Sequence, residues 1–399
     1  MISLNFLRKT IVLSAVLPLL FLLSGCWSTI ELNDRAFARL MIFDKGKQGI
    51  ELTIGFPLPN RMIPGMAGSG SGPQTGSPYT FISKEGANVG QALRNIQIDL
   101  SRKITLGQSS VVIIGKELAK EGIGPVLEFL AREPRIHINA SVFVAEGKGK
   151  ELANIPTIFE RFPTDIVAAY VLQHETIQAT IKDFLMANFT GGDMVVPLLS
   201  FQPKQIESEN GKQQDWMGAG GAAIFKNKKM QKTVGIKDMR GALWILGQLN
   251  EAEITINSPT DGRKVSFFIE HSRTKIRPRI TGEQVAIHLQ STANARLLSS
   301  DTNMNVEDPN QLKVLARQLE LEVEKRMMGM IDKTREVKAD AFHFGNYISW
   351  YYPQQWKTLR PQWNELYSDE KAEIVVHADI AIRRLGTEIE SVTVVEKDT

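Results

Sequence analysis

The feature that most limits how this chain can fold is its thiol content, a single cysteine at position 26 among 399 residues. No intramolecular disulfide can form, and a thiolate cluster for a metal is excluded with it. The fold must close on buried apolar surface and backbone hydrogen bonds alone. Composition permits this: 43% of residues are apolar and 23% charged, the balance of a globular chain.

The same cysteine ends a distinctive segment. Arg8 and Lys9 precede an apolar run, Ile11 to Leu23, broken at Ser14, Ala15 and Pro18. As a helix the run reaches about 20 Å, short of a hydrocarbon core of about 30 Å. A basic start, an apolar middle and small residues before a cut are the layout of a secretory signal, assigned to residues 1–25. Leu23-Ser24-Gly25-Cys26 resembles the bacterial lipobox. That resemblance implies cleavage after Gly25 and a diacylglycerol on Cys26, the expected lipid attachment site. The plainer reading is an ordinary signal with an incidental cysteine, which would leave a free exposed thiol in an oxidising compartment. One acyl chain binds a bilayer marginally whereas two anchor stably, so the expected product is a water-soluble body tethered to a membrane's outer face.

Residues 26–399 carry 45 basic and 44 acidic side chains, a net charge of +1. No global field favours nucleic acid. No later segment approaches eighteen consecutive apolar residues.

Along the chain, Leu40–Phe43 and Ile50–Ile54 read as a hairpin. A Gly/Ser/Pro-rich loop, Pro57–Pro78, precedes a strand at Tyr79–Ser83. Val89, Ala92, Leu93, Ile96 and Leu100 mark a helix. Strands at Ser109–Ile114, Asn139–Ala145 and Met194–Leu199 alternate with helices at Lys116–Lys120, Pro125–Ala131, Thr157–Arg161, Asp165–Gln173 and Ile177–Ala187. Phe201–Asp215 is polar and reads as strand-poor, a candidate boundary. Met217–Phe225 is a strand whose small residues permit close backbone approach, returning at Met230–Ile236. A helix at Asp238–Leu249 and strands at Ala252–Asn257, Lys264–Ile269, Arg273–Ile280 and Val285–Gln290 follow. Asp308, Pro309 and Gln311 signal the start of the longest helix, Pro309–Val337, with an apolar stripe from Leu312 to Ile331. Asp340–Trp350 reads as a second helix, Ala372–Ile382 as a strand, and Glu388–Val395 as an edge strand or tail. The expected class is α+β, with two or three domains of mixed or antiparallel sheets and packed helices. The expected division is an N-terminal α+β domain over 26–200, a strand-rich middle over 201–275, and a C-terminal α+β domain with the long helix over 276–399.

No catalytic constellation emerges. His137, His174, His271, His288, His343 and His377 lack metal-ligand spacing, and His343, between Phe342 and Phe344, reads as a partly buried core residue. Gly218–Gly221 precedes a strand rather than a helix, which argues against a phosphate cradle. Arg273, Lys275, Arg277 and Arg279 project from one strand face. They are a solvated face or guarded edge, or else an attraction for anionic headgroups or an acidic partner. No cofactor, metal site or catalytic residue is assigned.

Gly25-Cys26-Trp27 with Glu31-Leu32-Asn33, the Gly218–Phe225 strand with its Lys-rich turn, and Trp350-Tyr351-Tyr352-Pro353 before the last strand and Gly386 resemble the Ger(x)C family of spore germination lipoproteins. These are the C subunits of nutrient germinant receptors, and the resemblance spans essentially the whole chain. Ser28 stands where the family usually has Asp. The resemblance implies a three-domain α+β body without enzyme activity and lipidation at Cys26. It implies membrane-embedded A and B subunits as partners, at the outer face of the spore inner membrane. The alternative is a solute-binding lipoprotein that captures the nutrient itself. Such proteins carry two α/β lobes with parallel sheets, and the sequence shows no repeated strand-helix-strand units.

Overall fold

The computed structural model describes residues 31–58, 61, 77–188, 192–206 and 211–384. The signal segment, most of the Gly/Ser/Pro-rich loop and the strand expected at Glu388–Val395 lie outside them.

Arg35–Phe37 (β1) leads into the expected hairpin, Leu40–Gly46 (β2) and Gly49–Pro57 (β3), closed by the Gly46–Gly49 pair. Tyr79–Gly86 (β4) continues it antiparallel. Asn88 caps the helix Val89–Ile98 (α1) by accepting from the Gln91 N–H, and Val89, Ala92 and Ile96 form its buried face. Lys103–Thr105 (β5) pairs with β1 in a separate two-stranded sheet. Next come Val111–Gly115 (β6), helices Lys116–Glu121 (α2) and Gly124–Arg132 (α3), and Ser141–Ala145 (β7). After a 3-10 turn at Gly149–Asn154 lie helices Pro163–Leu172 (α4) and Ile181–Asn188 (α5). Met194–Ile206 (β8), Lys212–Lys226 (β9) and Lys229–Val234 (β10) complete an eight-stranded sheet ordered β10-β9-β8-β7-β6-β2-β3-β4.

Three sequence expectations fail here for identifiable reasons. β2, β6, β7 and β8 run parallel, and β6-α2-α3-β7 and β7-α4-α5-β8 are strand-helix-strand crossovers. β6 and β7 have five residues each and are buried on both faces, so they read as short apolar runs that carry no alternation. Thr157–Arg161 is irregular rather than helical, and the helix begins instead at Pro163, whose fixed φ suits a first helical position. Phe201–Asp215 is not strand-poor. Beyond Leu199 the β8–β9 hairpin continues to the Ile206–Lys212 pair, past its last contact with β7, and Gln202 to Gln205 are exposed. Gly221 explains the small residues of β9. It sits at a bulge with φ +122°, and a Cβ there would lie 2.0 Å from the Val234 carbonyl oxygen.

The second sheet is ordered β11-β12-β13-β14, formed by Asn250–Asn257, Lys264–Thr281, Gln284–Ser300 and Ala372–Arg384. The strands expected at Lys264–Ile269 and Arg273–Ile280 are one strand. A bulge between Ile269 and His271 inserts a residue and moves the inward set from Val265, Phe267 and Ile269 to Ser272, Ile276 and Ile280. That change of phase looks like an interruption in sequence. The span 201–275 is shared between the sheets, with its first strands in the larger and its last in the smaller.

Helix Ile236–Ile245 (α6) joins the sheets. Met239, Ala242, Leu243, Trp244 and Ile245 lie in one core with Val195, Ala222 and Ile224 of the larger sheet and Phe267, Ile287 and Leu289 of the smaller. Helix Pro309–Glu336 (α7) carries Asp308 as its N-cap, and Gln311 bonds back to Asp308. Leu315, Leu319, Val323, Met327, Met330 and Ile331 are fully buried. At about 1.5–3 kcal/mol per side chain, this stripe outweighs the exposed Arg317 ion pairs to Glu320 and Glu324, since such pairs contribute about 0–1 kcal/mol each. Where α6 crosses α7, a Cβ on Gly241 would lie 2.3 Å from the Arg326 carbonyl oxygen. Helices Phe344–Tyr351 (α8), Pro353–Leu359 (α9) and Trp363–Ser368 (α10) close the end of this core before β14.

The outer edge of β14 is covered by α7 in an unusual way. Glu324 accepts the Ala378 N–H at 3.0 Å, Glu320 accepts the Ile380 N–H at 3.1 Å, and Arg335 donates to the Ala372 carbonyl at 2.9 Å. Helix side chains thus stand in for a neighbouring strand and block pairing with another chain.

Replacing Glu320 and Glu324 together by alanine exposes two strand N–H groups, and a loss of about 2–4 kcal/mol is expected in urea unfolding, with increased self-association. Gly241→Ala forces α6 from α7, and the overpacking is expected to cost about 1–3 kcal/mol by the same measurement.

Candidate interaction surfaces

Cys26, the one site residue assigned from sequence, lies outside the described residues. The described chain begins five residues after it, at Glu31. The described chain enters through a 3-10 turn at Leu32–Asp34, with Leu32 exposed, and is fixed by the pairing of Arg35–Phe37 with Lys103–Thr105.

A buried polar site lies where the two halves meet. Asp193, at the start of β8, accepts the Asn227 N–H at 3.0 Å and the Asp340 N–H at 3.1 Å. His343 Nε2 lies 2.7 Å from the Asp193 carbonyl oxygen. Asp340 accepts from Phe344 N, Gly345 N and Trp363 Nε1, all within 2.8 Å. This capping role explains why the helix expected from Asp340 begins at Phe344. Both carboxylates are buried, and burial raises the pKa of Asp193 above the ordinary range, more than its N–H donors lower it. His343, expected as a core residue, is half-buried with φ +57° and links the two halves. Every one of these groups is spent on structure. Among the described residues no three or more His, Cys, Asp or Glu side chains are grouped to hold a metal.

Two of the open surfaces among the described residues stand out. A trough of about 300 Å³ follows the Gly218–Gly220 stretch of β9, walled by Glu146, Lys204 and Trp216. The Lys204 ammonium lies 5.4 Å from the Trp216 ring centroid. The glycines leave its floor bare, a feature visible in sequence only as a run of small residues. The other surface is the outer face of the second sheet, where Arg273, Lys275, Arg277 and Arg279 are all exposed. The period-two reading of that stripe holds because the bulge at Glu270 sets its phase.

Comparison with known proteins covers both halves. Residues 28–201 match the model described as spore germination protein N-terminal domain, and residues 220–386 match spore germination B3/GerAC like, C-terminal. Spore germination protein KC of Bacillus subtilis is 26% identical over 398 residues, covering 95% of this chain and 96% of that protein. Spore germination protein A3 of the same organism is 25% identical over 377 residues, covering 92% and 95%. The crystal structure of the GerBC protein superposes with a TM-score of 0.54 at 18% identity over 88% of this chain and 98% of that one. This last likeness shows the fold, mixed α+β with several sheets.

Asp193→Ala would strand two N–H donors at the junction, and a destabilisation of about 2–4 kcal/mol is expected in urea unfolding. Because the folded state holds the Asp193 proton to higher pH than the unfolded state, its contribution is fully present below the unfolded value of 3.8 and is lost as pH rises through the raised folded value. Asp193→Asn is expected to remove that component, so that its unfolding midpoint falls less than the wild type's as pH rises above 3.8.

Proposed function

This chain belongs to the GerAC-like family of spore germination proteins, and on that premise we propose that it is the lipid-anchored, non-catalytic C subunit of a nutrient germinant receptor. The observation that carries the reading is the end-to-end similarity to spore germination proteins, which spans both family domains with no large insertion to house a separate activity. Lipidation at Cys26 holds the body at the outer face of the spore inner membrane, where two acyl chains give stable retention. Confinement to that plane raises the effective concentration of membrane-embedded A and B subunits, so modest contact surfaces suffice for assembly. No helix among the described residues is long and apolar enough to cross a bilayer. The buried carboxylates at the junction support a structural role over a chemical one, since each is occupied by backbone or indole N–H groups.

A second reading draws on the trough at Gly218–Gly220. Glu146 and Lys204 on its walls offer both charges needed by a small zwitterionic nutrient, as a solute-binding lipoprotein would. Titration calorimetry of the lipid-free body with candidate nutrients separates the two. Saturable binding without partners favours capture by this chain, and its absence favours the receptor-subunit reading.

Cys26→Ala is expected to release the protein from membrane fractions and to impair nutrient-triggered germination. Normal germination of spores whose Cys26→Ala protein is fully soluble would overturn the proposal.

A further inference from the structure

The outer face of the second sheet is laid out in four rows. Arg273, Thr292 and Asp379 form one, Lys275, Gln290 and His377 the next, then Arg277, His288 and Val375, and last Arg279, Ala286 and Glu373. The cations occupy β12, and the two carboxylates of these rows lie two strands away, about 10 Å at ordinary strand spacing. Alternate residues repeat about every 6.7 Å, so the four charges span about 20 Å in a line. None of the four takes part in an ion pair among the described residues.

Edge protection does not account for this row. β11 stops pairing at His271, so β12 beyond it has a free side, and Pro278 there already lacks an N–H. The four side chains stand perpendicular to the sheet rather than across that edge. The β14 edge, by contrast, is guarded by side chains aimed at its backbone. A protein partner does not account for it either. Arginine at a protein interface works beside apolar or aromatic anchors, whereas Thr292, Gln290, His288 and Ala286 flank the cations here. A straight row of unpaired cations on an open sheet complements a plane of anionic charge.

We propose that the outer face of β12, through Arg273, Lys275, Arg277 and Arg279, docks the C-terminal half of the protein on an anionic phospholipid surface. This contact is carried by the sheet and does not depend on lipidation at Cys26. Each basic residue near such a surface contributes about fivefold in affinity, screened by salt.

The test uses a lipid-free chain beginning at Trp27, which retains every described residue and all three apolar cores. It is sedimented with vesicles of phosphatidylcholine alone and of phosphatidylcholine with roughly one-third phosphatidylglycerol. Binding is expected to the anionic vesicles only and to weaken as salt is raised. Arg273→Gln with Arg277→Gln is expected to lower the partition coefficient about 25-fold. Lys313→Gln with Lys325→Gln, which removes the same charge from exposed positions on α7, is expected to change it less than about threefold. Unchanged thermal unfolding of both double variants excludes misfolding as the cause. No binding to anionic vesicles at low salt, equal loss in both variants, or a solution dimer abolished by the β12 changes without effect on vesicles would each overturn the proposal.

Discussion

The structure depends on one continuous apolar core that two sheets share through α6. Trp244, fully buried, lies in it with strand residues of both halves, and Gly241 lets α7 approach to backbone contact. Burial of this kind is what a chain without disulfides must rely on. Its consequence is that the two family-matched halves are not beads on a linker. The polar junction of Asp193, Asp340 and His343 then fixes how they meet, because displacing either half would leave buried N–H donors without acceptors.

The same economy appears in how backbone groups are satisfied away from regular pairing. Asp44 accepts the Gly149 and Lys150 N–H groups at the 3-10 turn, Asp340 does so for α8, and Glu320 and Glu324 do so for two N–H groups on the β14 edge. Each of these carboxylates serves as an acceptor for peptide N–H groups. That use differs from a hydrolase, in which a pair of carboxylates must face a substrate cleft. The features that bear on function are then the open surfaces beside β9 and on β12.

Those surfaces differ in kind. The trough beside β9 is concave and carries both signs of charge, while the outer face of β12 is flat and carries one. A tether near the N-terminus and a cationic row in the C-terminal half would give two separate attachments. Two weak or moderate attachments on one body restrict its orientation far more than either alone.

The sequence determined the lipobox resemblance at Cys26, the α+β class, the long helix with its cap and stripe, and the period-two cations. Each of these is a local pattern, set by spacing along the chain. The parallel centre of the larger sheet is not legible, because β6 and β7 are short apolar runs buried on both faces, with no alternation to reveal a neighbour. The bulge at Glu270 looks like a gap in sequence, since inserting one residue reverses the inward phase. Only the tertiary structure decided that Glu320 and Glu324 cap β14 and that Asp193 reaches Asp340. Those pairs join residues 54 or more apart, and a charged residue off a helix's apolar stripe looks solvated until something is placed beside it.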